Sequence, residues 1–157
     1  MTYASELSAL REEIEQGGAR PSVIDSKVSS ILGIGDEKMP HDLLALLSDT
    51  AEHDEGMFSL VHAAESVDDL PYVHALLAVF PALASSSPRW ASIVLMRVLN
   101  NDNAKEHIVR ELRAATQSVK TAVREISLQI NRVSPEFLAK TAPVLIAAAP
   151  PKLTPVH

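Results

Sequence analysis

The chain has no cysteine, only five glycines, and one tryptophan among its 157 residues. Without cysteine there is no disulfide, no thiolate nucleophile and no cysteine-based zinc site. Aromatic residues make up 4%, so a core must be built from Leu, Val, Ile and Ala, which suits helix packing better than a β-sandwich. Strand signals are missing: there is no Asn-Gly hairpin turn and no convincing alternating run. Basic charge is in deficit. Fourteen Lys and Arg stand against twenty Asp and Glu, a formal net charge of −6. That disfavours nucleic acid as a direct partner and favours a basic protein. The most apolar runs, near Val73–Ala84 and Val144–Ala149, are too short to span a bilayer and are broken by prolines. The first residues, MTYASELSALREEIEQ, are amphipathic and acidic with no apolar signal core. Together these features predict a cytoplasmic protein without a membrane partner.

Motifs of chemistry are also wanting. Six histidines are present, but no His-x-x-x-His or His-Glu-x-x-His spacing, and no Gly-x-Ser-x-Gly elbow. Gly33-Ile34-Gly35 follows no strand and reads as a helix stop, not a phosphate loop. Asp54/Glu55 and Asp68/Asp69 are adjacent pairs whose side chains diverge on a helix, whereas general acid–base work needs convergent groups. The expectation is no catalytic residue, no metal, no cofactor and no enzyme. Asp68 and Asp69 have a plain role as helix caps, and Glu52, Asp54 and Glu55 as a solvated first turn.

What the chain does have is helical periodicity, centred on Asp68–Asn101. Val73, Leu76, Leu77, Phe80 and Leu83 recur at helical spacing after Asp68, Asp69 and Pro71. Leu70, Ala75, Val79 and Ala84 widen the stripe until the helix is apolar nearly all round, which places it inside a packed domain. Ser87-Pro88 then reads as N-cap and first helical residue of a partner carrying Trp90, Val94, Leu95, Val98 and Leu99. Earlier helices are marked by Tyr3–Ile14 with a stop at Gly17-Gly18, by Pro21 with Ile24, Val28 and Ile31, by Leu43–Leu47 after Pro40, and by GMFSLVHAAESV. Later ones start at Asn103 with Glu106 as a capping box, at Thr116, and at Ser134-Pro135. Nine helices joined by short turns predict an all-α fold: antiparallel pairs stacked as a short, irregular HEAT/armadillo-like α-solenoid, with a compact helical bundle as the competitor. One domain spans 1–149, and 150–157 forms a loose tail.

Within that frame His62 and Glu65, three residues apart, predict a hydrogen-bonded pair at a core border. Trp90 reads as a core anchor, whose loss costs roughly 3–5 kcal/mol, or as an interface hot spot; its apolar face favours the former. Arg97 needs a partner if half-buried, and Glu65 is the candidate. Acids gather in Asp49–Glu55 and Glu65–Asp69, at both ends of the fourth helix, while basic residues concentrate later.

The segments LLALLSD, MFSLVHAAES (Met57–Ser66), DLPYVHALLAVFPAL and SPRWASIVLMRVLNN resemble a family of bacterial polymorphic-toxin immunity proteins, including immunity partners from contact-dependent growth inhibition systems. The likeness runs from about Leu43 to Ile130. It implies a non-enzymatic antidote that binds the C-terminal domain of one cognate toxin, often a nuclease, and covers its active site or substrate groove. His62, Glu65, Trp90, Arg97, Leu99 and Asn100 fall on the matching motifs and hold the fold. Toxin contact falls instead to acidic surface: Asp49, Glu52, Asp54, Glu55, Asp68 and Asp69, with Tyr72 and His74 nearby, competing for a groove built for phosphates. The alternative is an α-helical repeat scaffold or adaptor that mediates protein–protein interaction without a toxin.

Overall fold

The computed structural model describes residues 2–150; the rest of the expected tail, 151–157, lies outside the described residues. The described residues are all-α. In chain order they form α1 (Tyr3–Gln16), α2 (Pro21–Ile34), α3 (Met39–Leu44), α4 (Asp54–Ala64), α5 (Asp69–Ser86), α6 (Pro88–Leu99), α7 (Asp102–Arg113), α8 (Gln117–Val133) and α9 (Leu138–Ala147), with a single 3-10 turn at Pro135–Phe137 before α9.

Local chemistry explains most boundaries. Thr2 caps α1 through a capping box with Ser5, so two free N–H groups are satisfied reciprocally. Gly17 closes α1, and Gly18 then turns the chain at φ 85°, a conformation that costs glycine little. Pro21 opens α2 at a position where its missing N–H is no loss. Gly35 ends α2 in the left-handed region. Thr116 caps α8 by accepting from the Val119 N–H. Several expected boundaries move. α3 includes Pro40 and ends at Leu44, short of Leu46 and Leu47, and α4 starts at Asp54, ahead of Gly56. The cap of α7 is Asn101, whose side chain accepts from the Ala104 N–H, two residues before the expected Asn103. Ser134-Pro135 opens the 3-10 turn, and α9 follows it.

Packing radiates from α5, which touches α3, α6, α7 and α8. It continues through Pro81 to Ser86 and buries Tyr72, Val73, Leu76, Leu77, Val79, Phe80 and Leu83. Toward the N-terminus the neighbours run in series: α1 lies on α2, α2 on α4, and α4 on α3. Trp90 and Phe80 are the largest fully buried side chains in a core otherwise dominated by Leu, Val, Ile and Ala. Gly56 lets α4 approach α2 closely: a Cβ there would sit 2.5 Å from Ile24 Cδ1. No described helix is long and apolar enough to cross a membrane.

Candidate functional site

The two acidic clusters sit at the ends of α4, and its eleven residues separate them by roughly 16 Å. At the N-terminal end the carboxylates largely serve the fold. Asp49 reaches across to α6, accepting from the Arg89 N–H (3.0 Å) and the Trp90 N–H (3.1 Å). It therefore does the capping expected of Ser87, from forty residues away. A carboxylate there also meets the positive end of the helix dipole. Ser87 sits at the cap position but makes no side-chain cap bond. Its hydroxyl donates to the Leu47 carbonyl (3.3 Å) and accepts from the Asp49 N–H (3.2 Å), fixing the loop that carries Asp49.

Asp54 meets Arg89 through both carboxylate oxygens, at 3.0 and 2.5 Å. The guanidinium holds the Asp54 carboxyl below the usual aspartate range, chiefly by hydrogen bonding. Both side chains are about half exposed, so solvent screens the pair. Arg89 also lies over the Trp90 ring, 5.4 Å from its centre. Trp90 is fully buried, edge-on to Phe58 at 4.9 Å, as a core anchor should be. Glu52 and Glu55 are exposed and have no salt-bridge partner among the described residues.

At the other end of α4, Glu65 and Arg97 form the contact that their positions implied. Arg97 Nε donates to one carboxylate oxygen (2.9 Å) and a terminal nitrogen to the other (2.7 Å). This fork-to-fork geometry is the strong form of the ion pair, and it raises the Arg97 pKa further. The expected His62–Glu65 hydrogen bond is absent; the Glu65 carboxylate accepts from Arg97 instead. His62 is exposed and its ring lies 6.3 Å from Phe58 in tilted contact.

Beside this pair lies a cleft of about 370 Å³, walled by Glu65, Asp69, Tyr72, Arg97, Asn100 and Asn101, with Val98 and Ala104 at its apolar side. Tyr72, expected at the surface, is 4% exposed. It falls on the inward stripe of α5 because it precedes Leu76 by four residues. Burial pushes its phenol pKa well above the usual value, and the Glu65 carboxylate adds to the effect. Its hydroxyl has no hydrogen-bond partner, a condition that costs about 1–3 kcal/mol in a buried group. Asp68 is exposed at the N-cap position of α5 but makes no side-chain cap bond. Asp69 follows at the cleft rim, without a salt bridge among the described residues. His74, exposed on the next turn, joins Glu111 of α7 at 2.9 Å.

Of the eight residues expected at a partner surface, four are thus free at the surface or a rim: Glu52, Glu55, Asp68 and Asp69. Asp49, Asp54 and His74 have internal partners, and Tyr72 is buried. Asn101 and Glu111 were not singled out from the sequence. Asn101-Asp102 after a helix end does carry a cap signal, whereas nothing local marks Glu111 as the partner of His74. Among the described residues no group of three or more His, Asp or Glu is arranged to hold a metal ion.

Residues 16–108 match the model of a family described as Immunity protein 30. The match begins at the last residue of α1 and ends within α7, so it contains α4, α5, α6 and the cleft between them. No curated protein and no solved structure matches the chain.

Proposed function

The chain belongs to the Immunity protein 30 family, a polymorphic-toxin immunity protein whose partner is a toxin that it neutralises, and we propose that this toxin is a basic nuclease domain delivered by contact-dependent inhibition. In this proposal the protein acts in the cytoplasm, as a binder without chemistry of its own. It covers the groove in which the nuclease would hold phosphates. The observation that carries the proposal is a set of carboxylates left without counter-ions: Glu52 and Glu55 at one end of α4, Asp68 and Asp69 at the other. A solvated acid that serves no fold contact is free to meet a cation on a partner. The net charge of −6 adds a long-range field of the same sign.

Opposite charge steers encounter and raises the association rate, while contacts desolvated after docking set the release rate. Fast capture suits an antidote, because a free nuclease does damage before a slow partner arrives.

The test is reversal of all four acids to Lys, with binding measured against the toxin domain encoded next to this gene. Circular dichroism should keep its helical signal. The association rate should fall by about tenfold or more at low salt and lose most of its salt dependence. An unchanged rate that is also insensitive to salt in the wild type would place the interface elsewhere.

A further inference from the structure

We propose that the cleft at the junction of α4, α5, α6 and α7 seats one cationic side chain, lysine or arginine, of the toxin, with Asp69 as its counter-ion and the Tyr72 hydroxyl as its buried acceptor. This deepens the proposed immunity function and rests on it.

Charge comes first. Glu65 and Arg97 neutralise one another across two hydrogen bonds, which leaves Asp69 as the uncompensated charge in the wall. Asp68 and Asp102, next in the chain to wall residues Asp69 and Asn101, are exposed acids. One cation stands at the edge: Lys140 donates to the side-chain oxygen of Asn100. The balance remains negative, so the cleft attracts a cation and repels a carboxylate.

Hydrogen-bonding capacity comes second. A carboxylate offers about four lone-pair sites, and Glu65 uses two on Arg97. Its remaining sites and both oxygens of Asp69 are acceptors. Tyr72 lines this cleft, and its buried hydroxyl has no partner. Buried polar groups are usually paired; of the five buried side-chain atoms without a partner among the described residues, Tyr72 carries the one at this cleft, and its oxygen is open to a donor. An ammonium or guanidinium supplies donors and no acceptor, which matches the open oxygens of Asp69, Glu65 and Tyr72 in this wall.

Size and rigidity come third. At about 370 Å³ the cleft lies at the small end of ligand sites, which suits one side chain. Its walls are helix ends held by the Glu65–Arg97 fork and by the Asn101 cap, so little ordering is needed when the side chain enters.

The experiment uses the full chain and the toxin domain encoded beside it, with affinity and thermal unfolding measured for Asp69→Asn and Tyr72→Phe. Each should weaken binding, Asp69→Asn by about tenfold and Tyr72→Phe by roughly threefold or more. Tyr72→Phe should unfold at the same temperature or higher, because it removes a hydroxyl that had no partner. One toxin lysine or arginine should lose affinity on replacement by Ala in the wild-type background and almost none beside Asp69→Asn. If the toxin binds and both variants match the wild type, the cleft is empty in the complex and this inference falls while the immunity function stands. Tighter binding by Asp69→Asn would mean an anionic occupant and would also overturn it. If the wild type does not bind the toxin at all, the proposed toxin partner fails first, and this inference with it.

Discussion

Replacing Asp49 by Ala tests whether this acid serves α6 or a partner. Its two oxygens accept from the first N–H groups of α6 at 3.0 and 3.1 Å, and nothing else caps that end, since Ser87 makes no cap bond. Loss of an N-cap costs about 0.5–2 kcal/mol. Loss of a carboxylate from the positive end of a helix adds about 0.3–1 kcal/mol. The sum is about 1–3 kcal/mol, which for a chain of this size lowers the unfolding temperature by about 2–12 °C. Asp49→Asn keeps one acceptor and gives up the charge, so it should cost less than Asp49→Ala. Urea unfolding followed by circular dichroism measures all three proteins. Under conditions where Asp49→Ala is folded, its toxin affinity should equal that of the wild type. A stability within about 0.3 kcal/mol of wild type, or a loss of affinity without a loss of stability, would refute the capping role and return Asp49 to the partner face.

Three further outcomes follow from the geometry. Glu65→Gln and Arg97→Met should be non-additive in a double-mutant cycle, with a coupling of about 0.5–2 kcal/mol for a bidentate pair discounted for its partial exposure; additive losses would show that the fork contributes nothing. The Glu13 carboxylate accepts from the side chain and backbone N–H of Arg20, and these bonds hold its pKa below the ordinary glutamate value. A depressed carboxyl pKa stabilises the fold above about pH 4.3, the unfolded value, and that contribution disappears as pH falls through the lower folded-state pKa. The stability gap between wild type and Glu13→Gln should therefore be widest near neutral pH and close in acid, and a gap that widens in acid would contradict the assignment. Gly56→Ala gains about 1 kcal/mol of helix propensity but drives a methyl into buried Ile24 Cδ1, at a cost of about 1–3 kcal/mol. It should destabilise alone, and Ile24→Val, which removes that atom, should relieve part of the loss when denaturation curves of the double variant are compared with the singles.

Helix identity was legible because its causes are local. Proline at Pro21, glycine at Gly17 and Gly35, threonine at Thr116 and the apolar stripe of α5 each act within a turn or two. The Glu65–Arg97 contact could also be anticipated, since both residues border apolar stripes on helices that had to pack. The partner surface was harder to read for the opposite reason. A free aspartate and a capping aspartate look alike in sequence when the helix being capped lies forty residues away, as with Asp49. His74 looked unattached because Glu111 reaches it from another helix. Tyr72 stands close to Asp68 and Asp69 in the chain, yet its spacing to Leu76 places it on the buried stripe. The match over residues 16–108 starts earlier and ends sooner than the likeness from Leu43 to Ile130, so the end of α7 and most of α8 fall within the likeness but outside the match.

The attachment of α1 has a consequence for the whole molecule. This helix rests mainly on α2, and Leu10 is its one fully enclosed apolar side chain. Tyr3, Leu7 and Ile14 pack against the core only partly buried, and polar ties add Tyr3 to Asp42, Glu6 to Lys27 and Glu13 to Arg20. A segment with so little enclosed surface opens at a smaller free energy than the body it leans on. Amide protons of α1 should therefore exchange with solvent long before those of α5, and the two ends of α4 should keep their shape while the first helix lifts and returns.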